Sequence, residues 1–347
     1  MTTSPFALQR HLDGLYDGCL RRSTPWRQES LREEFRRILG LEARSLPPVS
    51  AEVIHSVERP NHTEEKIRLS VGEDVSILIY VLVPKSRPPH KPVLAFPGHE
   101  PGIRYCIGEF PDPETAQIHR TANDNYAEYL AGCGYLVGAV EQRGFGERRT
   151  GTAGDRQPER SCRELSFAYL MMGRTLMGER CWDGMFAASY LLSRPDAAPG
   201  ELGATGHSGG GATALWLAVL DERIRAAVVS GYFCSFRDSI MAIAHCECNY
   251  IPGILNLSEM GGLAATVAPR PLCIVHGQQD PIFPFSATAR EFEKVRQAYA
   301  RSGAPDACLL AAHPGGHAYH NDLSRAWFDR WLSSPPAPAP GISQERG

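Results

Sequence analysis

From residue 51 onward, apolar and polar side chains alternate with a period of two. The segments AEVIHSVERP, KIRLSVG and VSILIYVLVPK follow one another across polar or glycine-bearing turns. That period predicts three antiparallel strands. The pattern then shifts to short unbroken apolar runs at residues 92–96, 134–140, 225–231, 271–277 and 307–312. Runs of this kind predict strands covered on both faces. Helical spacing intervenes at 125–131, at 173–193 (Trp182, Met185, Phe186, Tyr190 and Leu191 on one face), at 286–301, and through Trp327 and Trp331. Strand and helix in alternation imply a mostly parallel central sheet with antiparallel leading strands and helices on both faces. Ahead of it, Phe6, Leu8, Leu12, Leu15 and Leu20, then Leu31, Phe35, Ile38 and Leu39, are spaced for amphipathic helices. The chain therefore divides into an N-terminal helical extension (1–50), an α/β domain (51–333) and a proline-rich tail (334–347). The tail is expected to be disordered.

The stretch ELGATGHSGGGATALWLAVL, residues 201–220, reads as strand, sharp turn and helix. It sets Ser208 at the apex of a G-x-S-x-G turn, with glycines where backbone must meet backbone. Such a turn lifts a serine hydroxyl clear of the sheet and aims the first N–H groups of the helix at a developing oxyanion. If the serine is a nucleophile, an acid must follow a later strand and a histidine must come last. Asp280 stands in HGQQDP after the run PLCIV, and His317 in HPGGH after the next strand. His313 and His320 compete with His317. The first falls at a strand end and the second on the following helix, which leaves His317 as the expected base. The oxyanion donors are then the backbone N–H of Gly209 and one from the Pro97-Gly98-His99-Glu100 loop, most simply that of His99.

Composition narrows the partners. Lys and Arg total 36 against 39 Asp and Glu, a net charge of −3, which gives no reason to expect nucleic acid. No secretory signal and no bilayer-length apolar run is present, so a cytoplasmic chain with no membrane partner and with reduced thiols is expected. On that reading the sequons at Asn61 and Asn256 carry no meaning. Cys246-Glu247-Cys248 beside His245 lacks a second ligand pair at metal spacing and reads as a pocket-lining loop. The segments 102–123 and 232–262 are the expected sources of lid residues. Arg143-Gly144-Phe145-Gly146, Trp182 and Asp183 are expected to be structural, and the side chains of His99 and Glu100 to lie near the oxyanion site.

The segments FPGH (96–99), EQRGFGE (141–147), Trp182-Asp183, GHSGGG (206–211), LDERIRAAV (220–228), APRPL (268–272), HGQQDPIFP (276–284) and GGH (315–317) together resemble the α/β-hydrolase superfamily. More narrowly, they are similar to its dienelactone-hydrolase-like and acetyl-xylan-esterase-like serine esterases. The resemblance spans residues 51–333. It implies hydrolysis of a small or sugar-linked carboxylic ester by Ser208, His317 and Asp280, with no cofactor and no metal, by a chain that could act alone or as a homo-oligomer. The same residues would also serve acyl transfer, C–C hydrolysis, or a biosynthetic elimination or cyclisation. Because a histidine base acts only when neutral, activity should fall as the solution is acidified below neutrality. Initial rates that stay flat between about pH 5 and 8 would argue against such a base.

Overall fold

The computed structural model describes residues 8–22, 28–42, 49–72, 75–99, 102–151 and 160–332. The tail and Glu100 lie outside this set, as does Phe6. Among the described residues, nine strands form one sheet: β1 (Ser50–Glu58), β2 (His62–Ser70), β3 (Ser76–Pro84), β4 (Pro92–Phe96), β5 (Leu136–Val140), β6 (Leu202–His207), β7 (Ile224–Ser230), β8 (Leu272–Gly277) and β9 (Cys308–His313). Their order across the sheet is β1-β2-β3-β5-β4-β6-β7-β8-β9. The pairings β1/β2, β2/β3 and β3/β5 are antiparallel, and every pairing from β5 to β9 is parallel.

Burial follows the sequence pattern at the centre of the sheet but not at its edges: β9, predicted from an unbroken apolar run to be covered on both faces, is an edge strand with Leu309 exposed. β4, β5 and β8 are buried at every position, as strands sandwiched between helices must be, whereas the edge strand β1 is exposed throughout. Along β4, Leu94 and Phe96 join the core of one layer and Val93 and Ala95 that of the other. The first layer contains the helices Leu176–Ser193 and Gly209–Leu220; the second contains Tyr126–Gly132 and Asn321–Trp331. This is the α/β-hydrolase fold.

The N-terminal helix Gln28–Ile38 is part of the first core rather than an appendage. Phe35 and Leu39 are fully buried, and the Phe35 ring meets Trp216 edge-on at 5.4 Å. Arg32 Nε donates to Val219 O at 2.8 Å, tying the helix to the end of Gly209–Leu220. The helix before it, Gln9–Arg22, is held differently. Its leucines at 12 and 15 are exposed, as is Leu8 just before it, and Tyr16 anchors it by donating to Glu259 Oε1 at 2.7 Å. Truncating Phe35 removes a filled volume beneath Trp216, so Phe35→Ala should cost about 3–5 kcal/mol in denaturant unfolding, whereas Leu12→Ala should cost little.

Candidate active site

β6 ends at His207, and the next residue is the N-cap of the helix Gly209–Leu220. Ser208 adopts φ 53° and ψ −119°, a conformation that costs a non-glycine residue about 1–3 kcal/mol and persists only where its surroundings enforce it. They do so here by close packing. A β-carbon on Gly210 would run into Phe96 O, and one on Gly206 into the backbone of Gly210. The Ser208 N–H donates to Ser230 O at 2.9 Å, which fixes the turn against β7. The helix that follows is buried at every residue.

Asp280 follows β8 and is buried. Its Oδ2 lies 2.8 Å from His317 Nδ1, and its Oδ1 accepts the N–H groups of Ile282 (2.8 Å) and Phe283 (3.1 Å). Burial opposes charge on this carboxyl, but the His317 ring and the two N–H donors outweigh it and hold the group below its ordinary value. The His317 ring stacks on Phe283 and packs 4.6 Å from the ring of His207, the neighbour of Ser208. Gly231 lies under both imidazoles: a β-carbon there would stand 2.7 Å from His207 Cε1 and 3.1 Å from His317 Cε1. Desolvation and the neighbouring His317 pull His207 down to about 3, so it stays a neutral ring. The competing histidines go elsewhere. His313 Nδ1 accepts the Gly315 N–H at 3.2 Å, and its ring faces His320. His320 is the N-cap of Asn321–Trp331 rather than a residue within it.

The loop after β4 comes up on the opposite side. A β-carbon on Gly98 would sit 3.5 Å from Ser208 Cβ, and the His99 imidazole covers Gly209. Gln142, unremarked in the sequence, holds this loop: its Nε2 donates to Pro97 O at 2.5 Å while its Oε1 accepts from Thr213 Oγ1. Tyr126 donates to Phe96 O at 2.6 Å. A cavity of about 90 Å³ opens beside the turn, lined among others by Gly98, His99, Tyr105, His119, Asp124 and His207. His119 Nδ1 pairs with Asp124 Oδ2 at 2.7 Å there, and Gly102, Tyr105, Cys106 and His119 put the 102–123 segment on the cavity wall. On the other flank, His245 packs against Phe283 at 5.9 Å, and with it the 232–262 segment.

The strand order and the serine-bearing turn define the class, a hydrolase of the α/β-hydrolase fold. Within that class the chain belongs to the prolyl oligopeptidase family, whose model matches residues 160–333 and so spans Ser208, Asp280 and His317. YtaP of Bacillus subtilis (strain 168), named as a hydrolase, is 28% identical over 295 residues, covering 82% of this chain and 92% of YtaP. Among solved structures, a Bacteroides fragilis NCTC 9343 protein described as an acetyl xylan esterase superposes with a TM-score of 0.72 at 18% identity, covering 90% of this chain and 84% of that one. A glucuronoyl esterase from Teredinibacter turnerae T7901 gives 0.63 at 16% identity, with 95% and 94% covered. No helix among the described residues is long and apolar enough to cross a membrane.

Behind the site lies a buried ion network. Asp183 takes two bonds from Arg143 (2.8 and 2.7 Å) and one from Arg148 (2.7 Å), while Arg143 also pairs with Glu179 at 2.8 Å. Asp183 is buried, in keeping with the structural role expected of it, and its ion pairs with Arg143 and Arg148 stiffen the 141–149 segment that carries Gln142. The Glu141 carboxyl, 1% exposed, forms no ion pair among the described residues. Burial pushes it up from 4.5 to about 7. Between those values the folded chain keeps a proton that the unfolded chain has lost, so this residue lowers stability progressively as pH rises through the window and no further above it. Glu141→Gln should remove that slope. Compared by urea unfolding at pH 4.5 and 7.5, the variant should gain about 3 kcal/mol on the native chain over the interval.

Proposed function

We propose that the chain is a serine esterase acting on a small or sugar-linked carboxylic ester. The observation that carries the reading is the 2.8 Å Asp280–His317 pair seated against His207, one residue from a serine forced to positive φ. In the proposed reaction His317 takes the Ser208 proton as the oxygen attacks the ester carbonyl. Asp280 orients the ring and stabilises its charged form. The N–H groups of Gly209 and His99 receive the oxyanion, the alcohol leaves with the proton, and water repeats the sequence on the acyl-enzyme. The names of the structural neighbours, acetyl xylan and glucuronoyl esterases, favour an ester carried by a carbohydrate. The small polar cavity with His119, Asp124 and Tyr105 suits a short substituent. The family's name adds a second reading, an amide substrate.

Ser208→Ala should lower kcat/KM for p-nitrophenyl acetate by about 10³-fold or more and abolish the covalent mass increment left by a serine-directed phosphonate. Asp280→Asn should cost about 10⁴ in kcat. Turnover that survives Ser208→Ala would end the proposal. Acetylated xylo-oligosaccharides and methyl glucuronates should be cleaved in preference to prolyl p-nitroanilides; the reverse order would establish the amide reading.

A further inference from the structure

Beside the oxyanion loop, three stretches of chain far apart in sequence bring four metal-ligating atoms together. They are His99 from the loop after β4, Cys162 from the first turn of the helix Ser161–Met171, and Cys246 and Cys248 at the short turn Glu247–Asn249. One ligand atom from each, the imidazole nitrogen and three Sγ, all lie within 4.8 Å of one another. Cys162 Sγ is 3.1 Å from Cys246 Sγ, and His99 Nε2 is 3.4 Å from Cys248 Sγ and 3.9 Å from Cys162 Sγ. A tetrahedral zinc with Zn–S bonds of about 2.3 Å and a Zn–N bond of about 2.0–2.1 Å sets its ligand atoms about 3.5–3.8 Å apart. The observed separations bracket that range. From this geometry the structure assigns a closed Cys3His zinc site at His99, Cys162, Cys246 and Cys248.

The surroundings fit the group. Three thiolates around a divalent zinc leave one negative charge, and Arg180, 1% exposed, lies against the cluster with Nη2 donating to Cys162 Sγ at 3.4 Å. That guanidinium is held in place by donating to Arg143 O at 2.8 Å and by lying 4.4 Å from the Phe145 ring. Asn249 Nδ2 donates to Cys248 Sγ at 3.4 Å, and the His99 ring is packed against Phe145 at 4.8 Å. Such outer bonds orient the ligands of a metal site. With four protein ligands the metal has no open position, so its task is structural. Loading releases the thiol protons to solvent and fastens the 232–262 segment and the Ser161–Met171 helix to the loop that flanks Ser208. The sequence concealed this because the CxC pair has its remaining ligands 84 and 147 residues upstream of Cys246. His245 takes no part and bonds Asn249 instead.

The test uses the full chain purified with a thiol reductant from zinc-supplemented medium. Plasma mass spectrometry should find about one zinc per chain, at least tenfold less in Cys162→Ser and Cys248→Ser, and an undiminished amount in Cys106→Ser. A measurement on the unmodified protein stands beside the variants. Iodoacetamide labelling read by peptide mapping should modify Cys162, Cys246 and Cys248 at least tenfold faster after treatment with 4-(2-pyridylazo)resorcinol than before. A native chain with less than a tenth of an equivalent of zinc, full zinc in Cys248→Ser, or equal labelling before and after chelation would overturn the assignment. Any effect of zinc removal on ester turnover rests on the proposed Ser208 chemistry, and Ser208→Ala separates the two: it should lose turnover and keep its zinc.

Discussion

The structure depends first on a contact of backbone with backbone. The start of the Gly209–Leu220 helix presses on the end of β4 so closely that Gly210 meets Phe96 O with no room for a side chain. Everything at the site follows from that approach. It leaves Ser208 no ordinary conformation, and it lets Gly98 lie against the serine while His99 covers the first helical residue. Polar side chains then hold the contact from outside, Tyr126 on Phe96 O and Gln142 on Pro97 O. Neither can be replaced by packing alone, because a buried carbonyl without a donor is costly.

Much of this was legible in the chain because the same residues serve locally and globally. The period-two strands, the unbroken apolar runs and the glycines around Ser208 each carry their meaning within a few residues. Elements that bury little left no such trace. The helix Pro113–Thr121 buries none of its residues, so no apolar stripe marks it, and the 102–123 segment reads as loop. The helix Ser161–Met171 is hidden for a related reason: Phe167 and Met171 are exposed, and its inward side meets a small cluster around Phe145, Cys162, Leu176 and Cys248. Periodicity also cannot report the placing of β4 between β5 and β6, nor the fact that Gln142 spans from Thr213 to Pro97. Those are long-range pairings. The first helix misleads in the opposite sense, since Leu12 and Leu15 are spaced as if for a core and lie in the open.

Charge is distributed in the interior with a consistent logic. Where a buried anion must stay ionised, as at Asp183 and Asp280, cations or N–H donors surround it. Where burial outweighs the partners at hand, the group shifts toward its neutral form instead, as at Glu141 and His207.

The loops that carry Asp280 and His317 are joined before either side chain is considered. Gln278 N–H donates to His313 O at 2.8 Å and Gln279 N–H to Gly315 O at 3.0 Å, while Gly277 admits the Gly316 carbonyl where any other residue would block it. Acid and histidine therefore move as one rigid piece, and distortion at that end of the sheet changes their distance from the serine without changing their distance from each other. The segments at 102–123 and 232–262 that flank the site hang from different strands, so they can diverge extensively while the pair keeps its internal metric.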